Sequence, residues 1–139
     1  MTKRVSSKEL DYGSDGLYYL DDQPFTGIIE YRPESGWLEA EEEYKNGLQW
    51  GLSRKWHRKG VLEWEAECAF GARHGLCREW DEAGHLIAED HYEFGVRVHG
   101  KQWDSKGNLT EEFEIQESDP GFELLQAFRT AYERDRNEE

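Results

Sequence analysis

Glutamate is the residue type whose number and spacing in this chain could do chemistry. Ten glutamates recur at alternating positions: Glu39, Glu41, Glu43, Glu63, Glu65, Glu67, Glu89, Glu93, Glu112 and Glu114. Alternation places side chains on one face of a strand, and equivalent glutamates would lie about 9 to 10 Å apart, two strand spacings. That separation is too large for two carboxyl groups to share a proton. The spacing therefore predicts an electrostatic surface. It predicts no catalytic residue, and we do not expect an enzyme.

Eight of these glutamates are our candidates for binding a partner: Glu41, Glu43, Glu65, Glu67, Glu89, Glu93, Glu112 and Glu114. An acidic surface attracts a basic protein and accelerates association in a salt-sensitive manner. The alternative is neutralisation within the sheet, because Arg54, Lys55, Arg58 and Lys59 lie between two glutamate-rich strands. Each cross-strand pair of opposite charge contributes roughly 0.2 to 1 kcal/mol. We expect such pairing around Lys55 and Lys59, and an acidic surplus elsewhere.

The histidines and cysteines do not follow a metal-binding pattern. No histidine stands at ligand spacing from a cysteine or from another histidine. Cys68 and Cys77 flank the Gly71–Gly75 segment almost symmetrically, so they would lie near each other across a hairpin, where the spacing also allows a disulfide. A reducing compartment favours free thiols. We expect no metal and no cofactor.

Tryptophan provides a second class of candidate. Four of the six tryptophans are expected to pack the sheet: Trp56, Trp64, Trp80 and Trp103. Trp37 and Trp50 follow or lie within predicted turns and lack equivalents elsewhere in the chain. Because tryptophan is enriched among interface residues that dominate binding energy, these two are predicted to be exposed anchors for a partner.

Composition limits the class of partner. The 139 residues suit one domain and carry a formal charge of -14, from 31 acidic and 17 basic side chains. Such a charge argues against nucleic acid and against anionic membrane surfaces, and it also serves solubility alone. The first thirteen residues contain no apolar run of signal-peptide length, and no stretch reaches transmembrane length. We therefore expect a cytoplasmic protein.

A repeat positions these residues. Gly36, Gly60, Gly84 and Gly107 recur at steps of 24, 24 and 23, and the same steps separate Leu38, Leu62, Leu86 and Leu109. A period of this length is typical of an array of one supersecondary unit. The array is expected to span 37–116.

Each repeat contains a long and a short strand-like piece. In residues 61–70, VLEWEAECAF, apolar and acidic positions alternate up to Phe70, which predicts a half-buried strand. The short piece GLSRKW, residues 51–56, precedes it, and three-residue turns such as Gly71–Gly75 join the pieces. Connections this short require antiparallel pairing. We predict a mainly β chain, an antiparallel meander of hairpins with nine or ten short strands.

The two ends depart from the repeat. Residues 12–36 are predicted to form an N-terminal cap hairpin. Residues 118–135 are predicted to form an amphipathic C-terminal helix capped by Ser118 or Asp119, covering one end of the apolar sheet face. The alternative is that the helix docks on a partner. The segment from Gly95 to Trp103 is one residue shorter than its equivalents, so altered turn geometry is expected there.

The repeated string resembles a known family. It reads aromatic, three residues, Gly, any residue, Leu, two residues, Glu, two residues, aromatic, two residues, Gly, three residues, Gly, over roughly Gly27 to Gln116. This is similar to the MORN-variant repeat, the bacterial version of the membrane occupation and recognition nexus repeat. The lead-in GLYYLDDQPFTG resembles the segment before the repeats in bacterial MORN-variant antitoxins.

The resemblance implies a role and a partner. It implies an elongated, twisted sheet of repeated antiparallel hairpins and a non-enzymatic antitoxin or immunity protein, and it supplies no catalytic residue. The partner would be a cognate toxin, and the acidic charge of this chain predicts that the toxin has a basic surface. The alternative is an interaction scaffold of MORN-type repeats unrelated to toxins. Exposed sheet edges could also pair two copies into a homodimer.

Overall fold

The computed structural model describes residues 2–137, and the prediction of a mainly β chain is confirmed. A nine-stranded mixed sheet, a three-stranded sheet and one C-terminal helix make up the fold. In chain order the elements are β1 Arg4–Ser6, β2 Asp11–Tyr12, β3 Tyr18–Leu20, β4 Gln23–Pro24, β5 Gly27–Tyr31, β6 Ala40–Lys45, β7 Leu48–Arg58, β8 Val61–Ala69, β9 Ala72–Trp80, β10 Leu86–Glu93, β11 Val96–Trp103, β12 Leu109–Glu114 and α1 Phe122–Asn137.

The large sheet follows the chain with one exception. From β5 to β12, each strand pairs antiparallel with the next strand in sequence. The exception is β1, which pairs in parallel with β5 and makes the sheet mixed. The predicted cap hairpin at 12–36 is therefore wrong in its pairing, because β3 and β4 join β2 in the small sheet while β5 belongs to the large one.

The tight turns lie earlier in the chain than predicted, since the turn expected over 71–75 is centred on Phe70 and Gly71. Phe70 and Gly71 both have positive φ, at 58° and 77°, and Phe94 and Gly95 repeat this pattern at 50° and 83°. Positive φ at both central residues defines the type I′ turn, whose twist suits a two-residue hairpin. Gly75, predicted to end a three-residue turn, lies inside β9. The pieces predicted to be short strands are consequently long, and β7 has 11 residues.

Neighbouring hairpin tips are joined by backbone hydrogen bonds. The N–H of Gly71 donates to the carbonyl of Gln49 at 3.1 Å, and the N–H of Gly95 donates to the carbonyl of Arg73 at 2.8 Å. Each turn is thereby fixed to the hairpin before it. The hairpin tips therefore form a continuous row at one end of the strands.

The core consists of two small clusters. One contains Val5, Phe25, Ile29 and Tyr44. The other contains Ala66, Cys68 and Cys77, with Trp64 and Tyr92 packed against them. The side chains of this second cluster are small. The sheet is a single layer here, and the rings of Trp64 and Tyr92 cover the cluster.

The cysteines are free and buried. Cys68 lies opposite Arg73 and Cys77 lies opposite Ala66, since the register shifts between Ala66 and Cys68. The two cysteines therefore lie near each other in the second core cluster, as expected, but they are not directly opposite each other. The guanidinium carbon of Arg73 lies 5.6 Å from the Trp64 ring centre and 5.5 Å from that of Tyr92.

The helix begins later than predicted, and it packs at one end of the sheet. It starts at Phe122, because Asp119 and Gly121 belong to the preceding turn and their carbonyls accept from Phe122 and Leu125. Leu125 is fully buried. The helix contacts the hairpin tips, where Phe128 stacks on Phe94 with ring centres 5.4 Å apart. Among the described residues, no helix has the length and apolar character needed to cross a membrane.

Candidate partner-binding surface

A single row of charged residues crosses the large sheet. In register it reads Glu30, Glu41, Arg54, Glu65, Arg78, Glu89, Lys101 and Glu112. Directly opposed residues share a face, so acidic and basic groups alternate along the row from Glu41 to Glu112. Four of the eight candidate glutamates belong to this row.

Arginine neutralises much of the row. Arg54 Nε lies 2.6 Å from Glu65 Oε2, and its Nη1 lies 3.4 Å from Glu41 Oε1. Arg78 Nε lies 2.9 Å from Glu89 Oε2. These three glutamates therefore act first as internal partners of arginine, and the acidic face is weaker than their number suggests.

The pairing expected around Lys55 and Lys59 is present at Lys55, but the main basic partner is Arg54. Lys55 does pair with Glu63, but at 3.7 Å, and Lys59 is exposed in the turn after β7. The register instead puts Arg54 at the centre of the row. At its start, Arg4 pairs with Glu30 and Glu41, and Arg4 and Arg32 hold the pKa of Glu30 below its usual range.

Glu43 and Glu67 have a structural task at β-bulges. Glu67 Oε1 accepts the N–H of Leu76 at 3.0 Å, and Glu43 Oε1 accepts the N–H of Leu52 at 3.3 Å. A bulge leaves backbone groups without their ladder partners, and these carboxylates bind them. A glycine lies beside each carboxylate; a Cβ at Gly75 would lie 3.0 Å from Glu67 Cβ. Both candidates are thus engaged within the sheet.

The third hairpin replaces this carboxylate with a histidine. His91 stands 24 residues after Glu67, and the register shifts between His91 and Tyr92. The His91 ring stacks on His99 with centres 5.1 Å apart and planes 13° apart. The register is irregular at Val98, within the shorter Gly95–Trp103 segment where altered geometry is expected, while the turn at Phe94–Gly95 keeps the positive φ values of a type I′ turn.

Glu93 is engaged by the helix. Arg129 Nε donates to Glu93 Oε1 at 2.9 Å, and Nη2 donates to Oε2 at 2.5 Å. The guanidinium of Arg129 holds the pKa of Glu93 below its usual range, against the opposing effect of burial.

Glu112 and Glu114 are placed differently from the other candidates. Both are exposed on β12, the last strand of the large sheet. Glu112 lies opposite Lys101 and Glu114 lies opposite His99. They border an open groove of about 900 Å³ across β10, β11 and β12, whose floor includes the stacked histidines His91 and His99.

The tryptophan candidates are less exposed than predicted. Trp37 and Trp50 are both half-buried. Trp50 packs edge-on against Phe70 with ring centres 4.7 Å apart, and the ammonium of Lys45 lies 5.3 Å from its ring centre. Trp50 therefore belongs to an aromatic cluster at the hairpin tips.

The sequence interpretation missed this tip cluster, which contains Trp50, Phe70, His74, Phe94, Phe128 and Tyr132. The available signal was the Phe-Gly pair at 70–71 and again at 94–95. A bulky residue is rare at positive φ. Here the N–H of Phe94 donates to His74 Nδ1 at 2.9 Å, and both Phe rings reach the helix.

Covalent and metal chemistry have little support in the described part of the chain. Burial raises the pKa of Cys68 and of Cys77 to about 11, so both thiols are protonated at neutral pH. Among residues 2–137, no three His, Cys, Asp or Glu side chains are arranged to hold a metal ion.

Comparisons with known proteins leave the family open. No family model matches this chain, and no curated protein matches it. One solved structure is similar in part: the crystal structure of accessory secretory protein 1,2 and 3 in Streptococcus pneumoniae. The identity is 16% and the TM-score 0.39, over 78% of this chain and 20% of that chain. This chain thus spans a fifth of the length of its structural neighbour, and a likeness this weak assigns neither fold family nor function.

Proposed function

We propose that this chain is a non-enzymatic antitoxin or immunity protein, which binds a cognate bacterial toxin domain through an acidic surface and neutralises it. The observation that carries the proposal is that arginine neutralises some of the glutamates and leaves others exposed. Arg54 and Arg78 neutralise the middle of the charged row, whereas Glu112 and Glu114 stand exposed at its end. A basic partner surface is the complement of that end.

The charge distribution favours a directed approach of the partner. The chain carries a formal charge of -14, and beyond Arg78 the row offers Lys101 to both Glu89 and Glu112. An electrostatic field of one sign that is concentrated in one region of a protein surface raises association rates about 10- to 1,000-fold. The groove beside β12 gives a basic side chain a partly enclosed place to enter.

The MORN-variant resemblance supports the antitoxin role within this proposal. The turns at Phe70–Gly71 and Phe94–Gly95 are 24 residues apart, and so are the bulge carboxylates Glu43 and Glu67. The sequence period thus coincides with a hairpin period, as expected for an elongated meander of repeated hairpins. We place the protein in the cytoplasm, where Cys68 and Cys77 stay reduced.

The test begins with the product of the adjacent open reading frame. We expect its expression to inhibit growth, and co-expression of this chain to restore growth through a stable complex. The double variant Glu112→Lys with Glu114→Lys should bind more slowly and restore growth poorly. Its matched control is Glu34→Lys with Glu82→Lys, which makes the same charge change at exposed positions outside β12.

The outcomes separate the two candidate functions. A complex with no effect on growth favours an interaction scaffold of MORN-type repeats. If the neighbour is harmless and no complex forms, the antitoxin proposal is wrong. Equal loss of binding in both double variants would indicate that net charge acts, and not the β12 end.

A further inference from the structure

The two edges of the large sheet differ in what they offer a partner. β1 has 3 residues and runs directly into the 3₁₀ turn Ser7–Glu9. β12 has 6 residues, Leu109–Glu114, and is the strand at the opposite edge. An edge strand carries a row of backbone N–H and C=O groups that a further strand can bind. The β12 edge is therefore the longer template.

The direction of the backbone groups on β12 follows from the register. Ile115 donates its N–H to the carbonyl of Val98 at 2.8 Å. Backbone N–H groups alternate in direction along an antiparallel strand, so the N–H of Phe113 also points towards β11. The N–H groups of Glu112 and Glu114 point away from the sheet. The Glu114 carbonyl accepts from its neighbour Gln116 Nε2 at 3.1 Å.

The helix runs away from this edge. A Cβ added at Gly121 would lie 3.0 Å from Val96 Cγ1 and 3.9 Å from Ile115 Cδ1, so the chain approaches the helix between the start of β11 and the end of β12. Farther along the helix, Phe128 contacts Phe94 and Tyr132 contacts Phe70. The helix thus follows the hairpin tips, and its contacts lie along them.

We propose that the β12 edge binds an extended basic segment of the partner by antiparallel strand addition, with basic residues alternating with apolar ones. This inference rests on the proposed function, since it names how the basic partner engages the acidic end of the row. Backbone hydrogen bonds supply the pairing, and alternate side chains supply the selectivity.

The side chains of β12 define the pattern that fits. Glu112 and Glu114 share one exposed face, so two cations two residues apart would lie opposite them. Phe113 points to the other face, half-buried, with the guanidinium carbon of Arg97 4.5 Å from its ring centre. An apolar side chain between the two cations would extend that contact.

Charge argues against a second copy of this chain as the occupant. Two β12 strands paired about a two-fold axis would place Glu112 and Glu114 of one copy against the same glutamates of the other. Like charges directly opposite each other destabilise a strand pair. A homodimer through this edge is therefore disfavoured, in contrast to the open alternative from the sequence.

The test uses a fluorescein-labelled peptide of alternating lysine or arginine and valine, seven residues long, at low ionic strength. One version carries N-methyl groups on the basic residues, whose N–H groups would face β12. The matched control carries them on the valines, whose N–H groups would face solvent. Charge and composition are equal in the two versions. Fluorescence anisotropy should show at least tenfold weaker binding for the first, and little change for the second.

Two measurements on the protein complete the test. Glu112→Pro removes the charge and the outward N–H, whereas Glu112→Gln removes the charge alone. The proline variant should therefore bind the peptide several-fold more weakly than the glutamine variant. Amide exchange needs no variant: the N–H of Glu112 should exchange fast in the free protein and at least tenfold more slowly with peptide bound.

Equal or reversed effects of the two methylation patterns would contradict strand addition, as would unchanged exchange at Glu112 in the saturated complex. In those cases, toxin neutralisation that still depends on Glu112 and Glu114 leaves the proposed function standing through side chains alone. Protection of Glu112 by peptide, with no neutralisation of any toxin, supports strand addition and rejects the antitoxin role.

Discussion

Arg129 of helix α1 forms a two-pronged ion pair with Glu93 at the end of strand β10, with N–O distances of 2.9 and 2.5 Å. The pair joins the one helix to the sheet beside the aromatic tip cluster. Glu93 is 25% exposed and Arg129 40% exposed, so solvent screens part of the attraction.

The first prediction concerns this pair and pH. Arg129→Ala should lower the free energy of unfolding at pH 7 by about 0.5 to 1 kcal/mol, a range suited to partly exposed pairs. Because Arg129 lowers the pKa of Glu93, its contribution is complete above the unfolded-state pKa and is lost as pH falls through the lower folded-state pKa. Urea unfolding from pH 7 to pH 3 should show the two proteins converging in acid. A difference that persists at pH 3 would contradict the ion-pair origin.

The second prediction concerns the bulge carboxylate Glu67. Glu67→Ala removes the acceptor for the N–H of Leu76, and should cost about 1 kcal/mol of unfolding free energy. Glu79→Ala, at an exposed position of β9, is the control and should change stability by less than about 0.5 kcal/mol. Amide exchange at Leu76 should accelerate in the Glu67 variant alone. Equal stability of the two variants would show that the bulge does not need its carboxylate.

The third prediction concerns the charged row. Arg54→Ala leaves Glu41 and Glu65 facing each other across β7, and should cost about 1 kcal/mol at low ionic strength. Lys59→Ala makes the same change in net charge at an exposed turn position, so it is the control. Molar salt should shrink the difference between the two variants, since it screens exposed charges. A salt-independent difference would point to lost packing of the Arg54 stem.

The fourth prediction compares two glycines. Gly60 has φ +80° with nothing near an added Cβ, so Gly60→Ala should cost about 1 to 2 kcal/mol from its left-handed conformation alone. Gly51 has φ +110°, and an added Cβ would lie 2.1 Å from Glu43 Oε1. Gly51→Ala should cost at least about 1 kcal/mol more, because the bulge carboxylate must move. Thermal unfolding of both variants tests this order, and equal melting temperatures would contradict it.

The fifth prediction concerns thiol reactivity. Burial raises the pKa of Cys68 and Cys77 to about 11, and the thiolate is the reactive form. At pH 8 an aromatic disulfide reagent should label the native protein at least tenfold more slowly than the protein in denaturant. Raising the pH from 8 towards 10 should accelerate native labelling by about tenfold per pH unit, because the thiolate fraction rises in that proportion below a pKa of about 11. Rapid labelling at pH 8 would show that the second core cluster opens readily.

Much of the local structure follows from sequence alone. Alternation in residues 61–69 identified a strand, because a half-buried strand has a period of two. The 24-residue period predicted an array of hairpins, and connections of a few residues required antiparallel neighbours, which the large sheet shows from β5 to β12. Leu125 fell correctly within an amphipathic helix for the same kind of reason, since helical periodicity is a local property of the chain.

Register and edges could not be obtained in this way. Whether Arg54 or Lys55 faces Glu65 depends on where each bulge falls, and a slip of one residue moves every side chain to the opposite face. That choice paired Glu41, Glu65 and Glu89 of the predicted acidic face with arginine.

The remaining decisions came from contacts between distant parts of the chain. Phe70 adopts positive φ at a hairpin tip, and its ring packs on Tyr132, 62 residues later. β12 becomes an edge because the chain leaves the sheet after Glu114, whose charge then stays exposed. Sequence determined the presence of strands joined by short connections and the excess of acid, but not the positions of the turns. Tertiary structure decided which acids are neutralised, because only the assembled register brings each carboxylate to its arginine or leaves it without one.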